Sequence, residues 1–152
     1  MKLILGANQR QLEGWTHHDV KPYPGIDIVC DIWDIGNHVS PNTCEAIQLT
    51  HVLEHFSKKE VPKLLDIVKN LLTPGGTFYL EVPNFAWHAE LVTQGKAEEA
   101  VYYAFGGQLD EWDFHKTGFT PTILEKTLTE AGFTDIDIDG WQSLSATCRN
   151  SP

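Results

Sequence analysis

With 152 residues, 41% of them apolar, the chain has the length of one domain that buries roughly two-thirds of its unfolded surface, and a single domain over 1–152 is expected. Twenty-one acidic against 11 basic residues give a formal charge of −10, which repels phosphate backbones and anionic lipid and argues against nucleic-acid or membrane partners. No apolar run approaches the ~20 residues of a membrane span and the opening MKLILG is too brief for a signal peptide, so a soluble, cytoplasmic protein is expected.

Taken in chain order, β-type and helical runs alternate as they do in a mostly parallel sheet covered by helices. Residues 2–5 (KLIL) end at Gly6 and read as a first strand feeding a tight turn. A second strand is expected at 15–20 (WTHHDV), ending at Asp19, a third at 26–30 (IDIVC), closed by Asp31, and a fourth at 46–49 (AIQL), closed by Thr50 and His51. Only eight residues separate Gly6 from Trp15, fewer than a helical crossover needs, so that connection must be irregular or the second strand must start later. Residues 60–72 place Val61, Leu64, Leu65, Val68, Leu71 and Leu72 at helical spacing, with 73–76 (TPGG) as the stop before a fifth strand at 77–82.

Residues 84–119 break the alternation, mixing Trp87, Tyr102, Tyr103, Phe105, Trp112 and Phe114 with polar residues around Gly106-Gly107. Such an insertion reads as a lid or substrate wall. A helix follows at 120–131, capped by Thr120 with Pro121 in its first turn and stopped by Gly132. Strands at 135–139 and 143–148, around Gly140, close a count of seven with an antiparallel pair last. Cys30, Cys44 and Cys148 are odd in number and widely spaced, which fits buried free thiols in a reducing compartment.

In open parallel sheets a ligand sits outside the carboxyl ends of the strands, the edge that Gly6, Asp19, Asp31 and His51 would share. A glycine there lets the backbone approach a ligand, a carboxylate ending the second strand can accept from both hydroxyls of a ribose, and Asp31 can face a base amino group.

The segments KLILG, EGWTHHDV, DIVCDIWDI, THVLEHF, LTPGGTFYLEVPN and HKTGFTPTILEKTLTEAGF occur in the order and spacing of class I S-adenosylmethionine-dependent methyltransferases, and the chain resembles the small, short-first-loop type of that family. The resemblance implies a Rossmann-like three-layer α/β/α sandwich on a seven-stranded, mostly parallel sheet with its last strand antiparallel. It implies S-adenosyl-L-methionine as cofactor, held by Gly6, Ala7, Asn8, Asp19, Asp31, Ile32 and His51, and a small-molecule methyl acceptor. Where the family's first loop usually reads Gly-x-Gly, this one reads Gly6-Ala7-Asn8. Asn tolerates the left-handed conformation, so the turn can survive, but its side chain could crowd the methionine end.

Two histidines are the catalytic candidates. His115, in HKTGF beyond the aromatic insertion, could accept a proton from an oxygen or nitrogen nucleophile near neutral pH, and His55 ranks second. HVLEH at 51–55 also matches the His-x-x-Glu-His pattern of inverted zinc peptidases, but its first histidine directly follows a strand, so no metal site is expected from it. The alternative to an enzyme is a non-catalytic binding domain that keeps the fold and has an impaired cofactor loop.

Overall fold

The computed structural model describes residues 1–151. Seven strands, β1 (Lys2–Leu5), β2 (Thr16–Asp19), β3 (Ile28–Val29), β4 (Cys44–Thr50), β5 (Leu72–Pro83), β6 (Phe133–Asp139) and β7 (Ser143–Asn150), form one sheet in the order β3-β2-β1-β4-β5-β7-β6. β1 pairs in parallel with both β2 and β4, β2 with β3 and β4 with β5, whereas β7 runs antiparallel to β5 and β6. This is the seven-stranded, Rossmann-like sheet expected from the sequence. The strand order reverses at β1, so the loops after β1 and β4 diverge and open a crevice between them.

Strand alternation decides which face is packed. Leu3, Leu5, Ile47, Leu49, Phe78, Leu80 and Leu144 point to one side and join a single cluster with Leu64, Leu65 and Val68 of α1 (Val61–Leu71) and Leu124 and Leu128 of α4 (Pro121–Glu130). Thr120 caps α4 by accepting from the Ile123 N–H, as its position before Pro121 suggested. On the opposite face the cover is thin. Tyr79 is 41% exposed, with the ring of Trp15 edge-on to it at a centroid distance of 6.4 Å. The cause is chain length: residues 6–15 and 20–27 cross between parallel strands without a helix. The irregular first crossover was therefore legible in the spacing.

Besides shifts of one or two residues at other strand ends, three departures from expectation have physical reasons. β3 is shorter, because Asp27 spends its carboxylate on the His17 N–H (2.8 Å) and so closes the strand before Ile28. β5 begins at Leu72, directly after α1, with TPGG carried inside it as an irregularity where Cys44 faces Leu72 but Ala46 faces Thr77. That arrangement holds because the buried Asn150 amide, at the end of the neighbouring strand β7, donates to the carbonyls of Lys69, Leu72 and Thr73, each at 3.2 Å, and so satisfies the end of α1. The aromatic insertion is not irregular either: it holds α2 (Phe85–Thr93), capped by Asn84, and α3 (Ala97–Phe105), which pack on each other through Trp87 and Tyr103 at 5.0 Å. Among the described residues no helix is long and apolar enough to cross a membrane.

Cys44 and Cys148 are buried, and burial pushes the Cys148 thiol up to about 12; Cys30 is only half-buried.

Candidate functional site

The turn after β1 is built by backbone geometry. Gly6 lies at φ +70°, and a Cβ there would fall 2.5 Å from Val52 Cγ2, so the approach of the β1 and β4 loops requires glycine. The Ala7 N–H donates to the His18 carbonyl at 2.9 Å, which locks the turn against β2. Asn8 takes φ 52°, the left-handed conformation its side chain tolerates, and its N–H donates to Asp19 Oδ2 at 2.7 Å. The second carboxylate oxygen, Oδ1, accepts from the Lys21 N–H at 2.9 Å. Asp19 is thus buried, 7% exposed, and ties two loops together while each oxygen keeps one acceptor position.

Asp31 follows β3 and caps the 3-10 helix Ile32–Asn37, accepting from the Trp33 N–H at 3.1 Å. Ile32 is buried beside it. His51 follows β4 at φ 54°, with Nδ1 3.2 Å from Glu54 Oε1 and Nε2 3.4 Å from Glu81 Oε1. The Glu54 carboxylate raises its pKa against an opposing effect of burial. HVLEH is a strand end followed by the single 3-10 turn Leu53–His55, so His51 and His55 do not share a continuous helix.

These strand ends open on one cavity of about 360 Å³. Gly6, Asn8, Asp19, Asp31, Ile32, His51 and His55 all line it, so the residues singled out from sequence meet there. Two do not. Ala7 is buried behind the turn, and His115 lies outside that lining, its half-buried ring against His55 with centroids 4.9 Å apart. His55 Nδ1 is 3.2 Å from the Phe114 carbonyl and His115 Nδ1 is 2.8 Å from that of Tyr103, while burial lowers the pKa of His55.

The insertion expected to form a wall supplies Asp110 and Trp112 to the cavity, whereas His18 and Lys21, which also line it, were missed by sequence reasoning; the Lys21 ammonium pairs with the Asp110 carboxylate, joining the β2 loop to the segment after α3. Lys21 could have been found by the strand-end argument that found Asp19. Asp110 lies 89 positions away and carries no local signal.

A nucleoside fits this chemistry: a buried carboxylate with free acceptor positions stands beside a glycine turn that needs no side chain, and the apolar Ile32 and Val52 offer a slot for a flat ring. Comparison with known proteins agrees with that geometry. Solved structures similar to this one include a SAM-dependent methyltransferase from Archaeoglobus fulgidus, with TM-score 0.72 and 14% identity over 97% of this chain and 85% of that one. A 1,6-didemethyltoxoflavin-N1-methyltransferase from Burkholderia thailandensis, solved with 1,6-didemethyltoxoflavin and S-adenosylhomocysteine bound, has TM-score 0.68 and 15% identity over 99% and 71%. The CurJ carbon methyltransferase has TM-score 0.71 and 16% identity over 99% of this chain, which spans only 48% of that protein. No curated protein matches by sequence. A family model described as a methyltransferase domain matches residues 7–138, and the chain belongs to that methyltransferase family.

Proposed function

We propose that the chain transfers a methyl group from S-adenosyl-L-methionine to a small-molecule acceptor in the cytoplasm. The observation that carries this reading is the convergence of Gly6, Asn8, Asp19 and Asp31, from three separate strand ends, on one cavity. When bound, the cofactor supplies a methyl on a positively charged sulfur that is already a good leaving group. The protein's share is alignment. Asp19 would accept from the ribose hydroxyls, Asp31 would face the adenine amino group, and the Gly6-Ala7-Asn8 turn would pass under the methionine end. His51 would stand beside that turn. His55 is the better placed of the two histidines to take a proton from an acceptor hydroxyl or amine, because it lines the cavity and burial favours its neutral form. His115 would orient His55 through ring contact. The similar proteins include enzymes named for nitrogen and for carbon methylation, so the acceptor atom is not carried over from them.

A second reading, a non-catalytic domain of the same fold, draws on the Asn8 substitution and on the two N–H groups already held by Asp19. Calorimetric titration with S-adenosylhomocysteine separates the readings. Binding by the wild type supports the enzyme. No binding by either the wild type or Asn8→Gly supports the second reading, whereas binding restored in Asn8→Gly identifies the crowding residue.

A further inference from the structure

Behind the cavity, Glu54, His55 and His115 bring one ligand atom each to within 4.8 Å of one another. Glu54 is 1% exposed, and its Oε2 has no hydrogen-bond partner, an arrangement that costs free energy unless a donor or a cation faces that oxygen. Its Oε1 faces His51. Both histidine Nδ1 atoms face carbonyl oxygens, of Phe114 and Tyr103, which only accept. Each Nδ1 therefore carries the hydrogen, and each Nε2 is left with its lone pair. Every member of the trio is thus held by a partner on one side and free to ligate on the other, the outer-shell arrangement of metal-binding imidazoles and carboxylates. The cluster is also fixed in place: the Glu54 carbonyl accepts from the Lys116 N–H at 2.7 Å and from the Thr117 N–H at 3.2 Å, clamping the strand of chain that carries His115 against the 3-10 turn.

We infer that Glu54, His55 and His115 form a binding site for a divalent transition-metal ion, with zinc the best match. Two imidazole nitrogens and one carboxylate select zinc or its neighbours over magnesium or calcium, which take oxygen ligands. Bonds near 2.0–2.2 Å set ligand atoms about 3.3 Å apart, so the trio closes on the ion by side-chain shifts of about 1 Å. Three protein ligands leave the fourth position to water. This set differs from the His51–His55 pair suggested by HVLEH, since His51 stands behind Glu54. The ion would link residues 54–55 to residue 115, across the base of the aromatic insertion. With the ion bound, neither Nε2 is free to accept a proton, so the base role of His55 belongs to the metal-free chain.

The test uses the full chain stripped with a chelator, then titrated with zinc sulfate against a competing chelator, with metal content read by mass spectrometry. One zinc per chain is expected, with Glu54→Gln and His115→Gln each weakening it by about 100-fold or more and His38→Ala, on the exposed surface, leaving it unchanged. Wild-type content below about a tenth of an ion per chain, or a folded Glu54→Gln or His115→Gln with wild-type affinity, overturns the site. Should both variants misfold by circular dichroism, X-ray absorption of the zinc-loaded wild type decides: two imidazoles with oxygen supports the site, and any sulfur or a different imidazole count overturns it. Titration with S-adenosylhomocysteine in parallel keeps the result separate from the methyl-transfer reading, because either ligand can bind without the other.

Discussion

The strand-end edge and the aromatic insertion both line the cavity, yet they are made in opposite ways. At the edge, Gly6, Asn8, Asp19 and Asp31 are positioned by their own strands and by hydrogen bonds within two adjoining loops. The insertion is held by distant partners: Lys21 on Asp110, Glu54 on the backbone of Lys116 and Thr117, and His55 on Phe114. Its helices α2 and α3 pack mainly on each other through aromatic rings and contribute nothing to the main apolar cluster, and Tyr102 and Phe105 are 59% and 55% exposed. The lesson is that a ligand edge fixed by its own strands is joined to a wall held by a few distant contacts, so the wall is expected to open at lower cost than the sheet.

The largest effect that would sharpen this contrast is in the sheet. Phe78 is fully buried and lies 5.2 Å from Phe133, so Phe78→Ala should cost about 3–5 kcal/mol of global stability in urea unfolding. Tyr103→Ala, at a residue 40% exposed, should cost about 1 kcal/mol and speed hydrogen exchange only in α2 and α3. Equal global losses would break the comparison.

Next comes Asp19. Asp19→Ala should weaken S-adenosylhomocysteine binding by roughly ten- to over a hundredfold, from about 1.5–3 kcal/mol for charged hydrogen bonds. From sequence, a partly exposed strand-end carboxylate would leave stability almost unchanged. The structure corrects this, because Asp19 is buried and holds the N–H groups of Asn8 and Lys21. A stability loss of about 2–4 kcal/mol is therefore expected as well, with Asp19→Asn intermediate in both. A variant that binds and melts like wild type would remove this residue from the site.

A smaller effect is expected at the link between the two regions. Lys21→Ala or Asp110→Asn should raise the exchange rates of residues 106–114 while leaving the global unfolding midpoint in place, because the pair is solvent-exposed and added salt already screens it. Wild-type protein in high salt should move in the same direction. If exchange in this loop ignores both the variants and the salt, the pair is not what holds the wall closed.

The effect that is smallest at neutral pH, and grows only above about pH 9, is on alkaline stability. Burial raises the Cys148 pKa from 9.0 to about 12 in the folded state. A raised folded pKa means the native thiol keeps its proton where the unfolded one loses it, so stability is complete below about pH 9 and falls as pH climbs toward 12. Cys44 is raised by burial too and adds in the same direction. Urea midpoints at rising pH should fall less steeply for Cys148→Ala than for wild type, and parallel slopes would reject this origin.

Much of the molecule was readable from its residues. Period-2 and helical spacing placed the strands, α1 and α4, most of which bury an apolar face that their own sequence displays; β2 instead buries His17, His18 and Asp19. Strand-end position alone collected Gly6, Asp19, Asp31 and His51 at one edge, since the carboxyl ends of parallel strands lie together whatever their neighbours do, and the family resemblance added Asn8. The short span between Gly6 and Trp15 likewise called for an irregular crossover or a later second strand, and the structure has the irregular crossover, with thin cover over Tyr79.

Only the tertiary structure decided the rest. α2 and α3 left no clean apolar stripe because their aromatic residues pack helix on helix and remain half exposed. TPGG looked like a stop, yet Asn150, from the neighbouring strand β7 some 77 positions later in the chain, satisfied the carbonyls there and let the strand begin at once. The pairing of Lys21 with Asp110 and the meeting of Glu54 and His55 with His115 join positions some 60 to 90 residues apart. Charge complementarity and ligand geometry act through space, and spacing along the chain records only contacts that the chain itself enforces.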